Sequence, residues 1–405
     1  MRHFLAYGNS DQSSFRDPLV RQSFDYMTVP GTIAAYYPDA TAAFVLSSEL
    51  NYVVDPRTPL FQGLIRQPRA SHLTLASILS PRVADFLANA GDDGAFSADL
   101  YSASVVDELV TRTLAFQRNY GGKAGPIQTK LERYQRLLAE ARGEFPIYGA
   151  IQEGQPPSFV LAPYFLSGVD DEWDTVMRSI WDRCLDEPDH DHVCAVVAAV
   201  SVNVLGAKLQ SVPNELSTTT FFWVNAFDER KMREPDLRAL WDVVSLGSER
   251  RQLINMYGGF FSICLHYAGL WGFNNGLGYS EFRDWPELPA TGAAPARYYI
   301  PRLHLYASQT SAQLLIDRAP TFRCPCEVCR ERPVVELSYL DLKRHFALTR
   351  KEEIRTVHEN DPHGVAQLLD SALADYTVAA EDLPGGFGMS VGHLARWSSV
   401  LKRPS

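Results

Sequence analysis

The sequence predicts an α/β fold in which parallel strands close into a TIM-type (β/α)8 barrel, with a helical insertion and a C-terminal cysteine-rich subdomain. Continuous apolar segments of strand length recur along the chain, separated by connections long enough for helices, as in parallel sheets covered on both faces. Polar residues such as Asp55 and Asn274 follow or end these segments, at the barrel end where active sites form. An open doubly wound sheet is the alternative fold.

Apolar segments beginning at residue 26 are predicted as the barrel strands. The first 25 residues are polar and show no clear period, so no strand is predicted among them. Helices are predicted at 340–349 and 352–357, after the cysteine-rich stretch. The eight predicted strands lie within residues 26–37, 51–55, 158–166, 193–202, 219–228, 252–259, 269–276 and 296–306.

The domain organisation follows from these elements. Residues 57–150 have helical periodicity and no alternating strand pattern, which indicates a helical insertion between two parts of the barrel. The predicted units are the first part of the barrel (1–56), the insertion (57–150), the rest of the barrel (151–320), a metal-binding module (321–365) and a helical tail (366–405).

Composition restricts the class of protein. The chain has 405 residues and a formal net charge of −10, which argues against whole-surface binding to nucleic acid but allows a local basic groove. It has no signal-peptide pattern and no apolar run of the roughly 20 residues that span a bilayer, so we expect a cytoplasmic protein without a membrane anchor. Cys184, Cys194 and Cys264 are scattered among apolar residues and are interpreted as buried free thiols.

Half of the six cysteines lie within one stretch, at Cys324, Cys326 and Cys329. Three thiols this close, with His358 on a following helix, match the ligand set of a structural Cys3His zinc site. Thiols separated by one residue are too close for an ordinary structural disulfide. A chance cluster of buried or redox-active thiols is the alternative interpretation.

The cysteine pattern, followed by the Thr-Val-His-Glu-Asn stretch at 356–360, resembles the tRNA-guanine transglycosylase superfamily, including its members that place 7-deazaguanines into DNA. The resemblance implies a (β/α)8 barrel that exchanges guanine or 7-deazaguanine bases in tRNA or DNA. It also implies a zinc ion that is structural, and a zinc module that contacts nucleic acid or a second subunit. The resemblance is carried by specific residues over about 320–360, and elsewhere in the chain by the predicted barrel architecture.

The family's nucleophile is an aspartate, and the matching position here is Asn274. The alignment uses the Gly258-Gly259 turn, the following helix, and the later Gly269 and Phe273. An amide is a poor nucleophile, so the covalent double displacement of the family cannot proceed unaltered. The alternatives are direct displacement, no transglycosylation at all, or a carboxylate supplied from elsewhere, namely Asp55, Asp228 or Glu281.

Other site residues are predicted from position. Asp55 ends a strand before a proline, where the family has an acid that assists proton transfer; an Asx-turn is the structural alternative. The Gly258-Gly259 backbone, Asn203 and Tyr299 are predicted base contacts, although paired glycines are also common in tight turns.

The sequence therefore predicts a divergent pentosyltransferase in which Asp55 and Asn274 occupy the catalytic positions. The alternative is a catalytically lapsed barrel that binds a deazaguanine-type ligand, a nucleic acid or a protein partner, in a DNA-modification or defence system. A homodimer is expected by analogy with the family. Basic residues of the cysteine module favour contact with tRNA or DNA; they include Arg330, Arg332, Lys343, Arg344, Arg350, Lys351 and Arg355.

Overall fold

The structure is a computed structural model of the 405-residue chain. It describes residues 1–64, 68–90, 94–120, 128–145, 155–278, 281–285, 297–330, 332–381, 383 and 388–402. The fold is mixed α/β. Its strands are β1 (Arg2–Ala6), β2 (Tyr26–Pro30), β3 (Asn51–Asp55), β4 (Gly63–Leu64), β5 (Ala95–Phe96), β6 (Val160–Leu161), β7 (Leu166–Ser167), β8 (Val193–Ala199), β9 (Thr219–Val224), β10 (Gln252–Asn255), β11 (Gly272–Gly276), β12 (Tyr298–Ile300) and β13 (Leu305–Ala307).

Helices cover most of the remaining described chain, joined by short 3₁₀ turns. None of the helices in the described ranges is long and apolar enough to cross a membrane. They are α1 (Gln12–Arg16), α2 (Pro18–Arg21), α3 (Gly31–Tyr36), α4 (Pro38–Ser48), α5 (Ala70–Leu79), α6 (Pro81–Asn89), α7 (Ala103–Arg118), α8 (Gln128–Arg142), α9 (Glu172–Leu185), α10 (Val202–Ser211), α11 (Glu234–Ser248), α12 (Phe260–Cys264), α13 (Gln309–Arg318), α14 (Tyr339–Glu359), α15 (Pro362–Glu381) and α16 (Gly392–Leu401).

Eight parallel strands form the main sheet in the order β3-β2-β1-β11-β10-β9-β8-β6, and β7 also pairs with β8. Two predictions are corrected. The strand β1 lies among residues that were predicted to contain none, because its five residues are too few to show a period. The predicted strand at 296–306 instead forms the antiparallel pair β12-β13 outside the main sheet, and β1 takes its place between β2 and β11.

The main sheet is curled. Aromatic rings from distant strands meet on its inner face: Phe4 of β1 lies 5.8 Å from Phe221 of β9 and 6.1 Å from Phe159, which precedes β6. The two edges also meet, because Val53 of β3 forms a parallel bridge with Phe159. The backbone N–H of Ser158 donates to Tyr52 O at 2.8 Å beside this bridge. The inner face of the sheet is therefore an enclosed aromatic core.

The chain between β3 and β6 carries helices α5–α8 and the small antiparallel pair β4-β5. Its predicted end at residue 150 falls outside the described residues. Side chains of this segment also form hydrogen bonds with backbone groups of residues 161–166, where the chain passes from β6 to β7. The Gln117 side chain forms hydrogen bonds with both the N–H and the C=O of Leu161. In the same way, Thr58 bonds both backbone groups of Tyr164, and Gln62 bonds both backbone groups of Leu166. Buried backbone groups without such partners would cost about 1–3 kcal/mol each.

Candidate metal centre and the polar end of the sheet

The cysteine stretch and the start of α14 bring four metal-binding side chains together: Cys324, Cys326, Cys329 and His345. Their ligand atoms all lie within 4.8 Å of one another. The Nδ1 atom of His345 is 3.2 Å from Cys329 Sγ and 3.5 Å from Cys326 Sγ. Tetrahedral zinc with thiolate and imidazole ligands separates its donor atoms by roughly 3.6 Å. The group can therefore hold a metal ion, and its donors suit zinc.

Neighbouring groups orient these ligands. His345 Nε2 lies 2.6 Å from the carbonyl oxygen of Tyr299, to which it donates, so Nδ1 keeps a free lone pair facing the thiols. The imidazole ring stacks on Tyr298 with a centroid separation of 4.3 Å and an interplanar angle of 6°. The Tyr298 hydroxyl donates to Cys329 Sγ at 3.7 Å. These contacts are those expected around a closed structural metal site.

The predicted fourth ligand, His358, is corrected to His345. Helix α14 runs unbroken through the region where two helices were predicted, and only its first turns reach the cysteines. His358 lies thirteen residues further along, about 20 Å away at the rise of an α-helix. There it stacks on His266 at 4.5 Å. One sequence signal was available, because His345 is the first histidine after the cysteines.

Strand register shows which side chains point to the inner face at the carboxyl ends of the strands. Paired residues of neighbouring parallel strands face the same side of the sheet. Along each strand, every second residue also faces that side. Since Phe4 is on the inner face, its partner Asn274 is too. The same reasoning places Asp55 there through Val53 and Phe159, and Trp223 through Phe221. We call Asp55, Trp223 and Asn274 the inner polar cluster.

Asp55 is 3% exposed and has two hydrogen-bond donors. The Tyr164 hydroxyl donates to its Oδ1 at 2.8 Å, and the backbone N–H of Arg57 donates to the same oxygen at 3.0 Å. The second bond is the Asx-turn that was the structural alternative, so Asp55 forms this turn while facing the inner polar cluster. Burial, followed by the charge of Asp55, raises the pKa of Tyr164 well above its usual value, so the hydroxyl stays protonated as a donor.

Asn274 lies in β11 and is 5% exposed. Its Nδ2 donates to the carbonyl oxygen of Met256 at 3.1 Å, which fixes the orientation of the amide. Its Oδ1 is buried and has no hydrogen-bond partner among the described residues. The Nε1 of Trp223 is likewise buried without a partner there. The inner polar cluster therefore offers one unused acceptor and one unused donor, which is unusual for buried groups.

The Gly258-Gly259 turn is packed against side chains. A Cβ at Gly258 would lie 2.3 Å from Ser262 Oγ, and one at Gly259 would lie 3.0 Å from Glu229 Oε2 and 3.1 Å from Glu281 Oε2. Glu229 accepts hydrogen bonds from the backbone N–H groups of Phe261 and Ser262 at the start of α12. The close approach of α12 and two carboxylates accounts for glycine at both positions.

The other two predicted base contacts lie elsewhere. Strand β8 ends at Ala199, before the predicted end at 202, and Asn203 is exposed in the first turn of α10. Tyr299 is buried in β12, where its hydroxyl donates to Glu353 Oε1 at 2.8 Å. Tyr299 therefore belongs to the packing between the β12-β13 pair and α14.

A buried ionic network connects α14 to the loop after β11. Arg350 has a fully buried side chain and pairs with Glu281 at 2.5 Å and Glu353 at 2.8 Å. Glu353 also accepts from His304, and Glu281 accepts from the Tyr306 hydroxyl. No pattern in the sequence predicted this network. It occupies Glu281, one of the carboxylates considered as a substitute nucleophile.

The third such carboxylate, Asp228, is also engaged by cations. It lies 3.4 Å from Arg230 and 3.3 Å from Lys231, and only 6% of it is exposed. Of the three candidates, Asp55 alone is placed on the inner face by strand register.

Most basic residues of the cysteine module have acidic partners. Arg332, Lys343, Arg344, Arg350 and Arg355 each form an ion pair with an aspartate or glutamate. These carboxylates weaken the local positive field that a nucleic acid would meet.

Glu229 makes stability depend on pH. Burial, followed in the raising direction by the charge of Glu281, raises its pKa from 4.5 to about 7. The folded chain then holds this proton more tightly than the unfolded chain, so stability present at low pH is lost as pH rises towards 7. Between pH 5 and pH 8 the wild type should lose roughly 2–3 kcal/mol more unfolding free energy than Glu229→Gln. Urea unfolding at both pH values measures this difference. Exposed Glu249→Gln should follow the wild type, and parallel pH profiles for all three proteins would contradict the assignment.

A cavity of about 780 Å³ lies beside the candidate metal centre between α14 and α15. Its walls are mainly apolar and include Leu348, Leu368 and Leu369. It is separate from the inner polar cluster. The carboxyl ends of the strands are instead covered by residues 281–285, where Trp285 Nε1 donates to Pro59 O at 2.9 Å.

A scan against protein-family models finds no match to this sequence, and neither does a search of curated proteins.

Proposed function

We propose that the protein is a divergent transglycosylase-like enzyme that exchanges guanine or 7-deazaguanine in tRNA or DNA at the carboxyl ends of its strands. The observation that carries this proposal is the pair formed by Asp55 and Asn274. Both are buried and share the inner face of the sheet, and the resemblance expects catalytic residues at these two positions of the sequence, which supports the proposal.

A closed (β/α)8 barrel is part of the proposal. It is supported by the sheet order, in which consecutive strands of the chain are neighbours, and by the Val53–Phe159 bridge between the edges. Zinc at Cys324, Cys326, Cys329 and His345 is also proposed, as a structural ion that holds the cysteine stretch against α14.

Asp55 is proposed to move the proton that base exchange requires. As the glycosidic C1′–N bond breaks, water protonates the departing base, and the Asp55 carboxylate accepts the N–H proton of the incoming base as the new bond forms and returns it to the hydroxide left by that water. The Tyr164 hydroxyl steadies the carboxylate form by donating to Oδ1.

Asn274 cannot form a glycosyl ester, so exchange is proposed to pass through a dissociative, positively charged sugar. The unpartnered Oδ1 of Asn274 carries a partial negative charge that stabilises this cation. The new base then enters from the side that the old base left. A second candidate, a lapsed barrel that binds the base without exchange, is favoured by the same replacement of a carboxylate by an amide.

Exchange of labelled guanine or 7-deazaguanine into tRNA and DNA tests the proposal. Asp55→Asn should lower the exchange rate by about 10²–10⁴-fold, the usual contribution of general acid–base catalysis. Exposed Asp85→Asn is the matched control. Asn274→Asp should restore a carboxylate nucleophile and yield a covalent enzyme–nucleic acid adduct detectable by mass spectrometry. Base binding without exchange in the wild type would identify the lapsed barrel, and neither binding nor exchange would refute both.

A further inference from the structure

Arg283 lies against the inner polar cluster although it belongs to the covering segment at 281–285. Only 8% of the residue is exposed. The central carbon of its guanidinium is 5.6 Å from the ring centroid of Trp223 and 5.7 Å from that of Tyr257. Its Nη1 donates to the Tyr257 hydroxyl at 2.8 Å. A planar cation thus occupies the angle between two aromatic rings that meet edge-to-face at 80°, a slot whose two aromatic walls are nearly perpendicular.

The backbone around Arg283 is anchored at both sides of the strand ends. The N–H of Ala226, after β9, donates to Arg283 O at 2.8 Å, and the N–H of Trp285 donates to Asn225 Oδ1 at 2.8 Å. The indole of Trp285 fits against Gly63, where a Cβ would lie 2.5 Å from Cη2. These contacts hold the guanidinium of Arg283 in place.

Strand register puts Asp55 on the same inner face as Trp223, on which this guanidinium lies. Burial lowers the pKa of Arg283, but the oxygens of Tyr257, Tyr164 and Asp55 raise it by more, so the group remains charged. The slot therefore combines aromatic walls with a carboxylate, the features that recognise a flat, donor-rich group.

Arg283 leaves part of the inner polar cluster unused. The Nε1 of Trp223 and the Oδ1 of Asn274 are both buried without a partner among the described residues. Unmet buried donors and acceptors are uncommon, and Arg283 satisfies neither of these two atoms. A carbonyl oxygen of a ligand would satisfy the Nε1 of Trp223, and an N–H group of a ligand would satisfy the Oδ1 of Asn274.

We infer that the slot formed by Trp223, Tyr257 and Asp55 is a binding site for a planar guanidine-type group, and that Arg283 is the chain's own occupant of it. Guanine and 7-deazaguanine carry this group as their N1–C2–N3 edge with the exocyclic amine, beside the O6 acceptor. An external base competes with Arg283 for the slot. The identity of the base rests on the proposed function, whereas the slot and its occupant rest on the contacts above.

Calorimetric titration of the full chain with 7-deazaguanine and methylguanidinium tests the inference. Removing an occupant that fills the slot more than about nine-tenths of the time raises apparent affinity at least about tenfold. Arg283→Ala should therefore bind both probes at least about tenfold more tightly than the wild type. The control Arg302→Ala removes an arginine that stacks on Phe322 at 5.7 Å, away from the slot, and should bind as the wild type does.

Three further comparisons make the result decisive. Adding Asp55→Asn to Arg283→Ala should abolish the gain, and 7-deazaadenine, which lacks the guanidine edge, should show none. Arg283→Lys keeps the charge without the planar group, and should show the gain if the alanine variant does not fold. Equal binding by wild type and variants, or an equal gain for 7-deazaadenine, would overturn the inference. Base exchange is not needed for any of these measurements, so failure of the proposed function would be seen separately.

Discussion

Replacing His345 with alanine is expected to prevent the proposed binding of zinc, whereas replacing His358 with alanine is expected to leave zinc binding intact. The Nδ1 of His345 faces the thiols at 3.2 and 3.5 Å, while His358 stacks on His266 at the far end of α14. Elemental analysis should find about one zinc per chain in the wild type and in His358→Ala, and much less in His345→Ala.

The loss of metal should also destabilise the protein. Metal binding at a closed Cys3His site contributes directly to folding free energy, so His345→Ala should lose several kcal/mol of unfolding free energy. Cys329→Ser should behave in the same way, because it removes another ligand of the group. Equal zinc content in the two histidine variants would contradict the assigned ligand set, and iron in the purified protein would contradict zinc.

Replacing Arg350 with alanine is expected to lower the free energy of unfolding far more than replacing Arg355, which lies on the same helix. Its removal leaves Glu281 and Glu353 buried without their shared cation, and breaking a buried pair typically costs roughly 3–5 kcal/mol. In urea unfolding, the loss should appear as a lower urea concentration at the midpoint, with an unchanged slope of unfolding free energy against urea concentration.

Arg355 provides a matched control on the same helix. It also pairs with two glutamates, Glu352 and Glu359, but all three side chains are more than half exposed. Water screens such pairs, so Arg355→Ala should unfold at the same urea concentration as the wild type. If Arg350→Ala were equally stable, the network would contribute no net stability. A triple variant that also carries Glu281→Gln and Glu353→Gln should recover part of the loss, because no buried charge then remains unpaired.

Much of the sheet was predictable from the sequence, because β8 is a continuous apolar run and β9 has four apolar residues after two β-branched threonines. Both strands are buried along their whole length. Strand β1 was not, since it is short and begins with Arg2 and His3. The imidazole of His3 is buried by tertiary contacts, stacking on Phe273 and bonding the carbonyl of Ser23. Nothing local indicates that such polar residues belong to a central strand.

The sequence by itself determined that the chain carries parallel strands, a clustered thiol set and an asparagine where its resemblance expects a nucleophile. These features depend on residue type and short spacing alone. Only the tertiary structure decided that His345 rather than His358 faces the thiols, that Arg350 joins Glu281 and Glu353, and that Arg283 lies against the rings of Trp223 and Tyr257. Each of these depends on how a helix or loop crosses residues distant in sequence, and such crossings leave no periodic pattern in the chain.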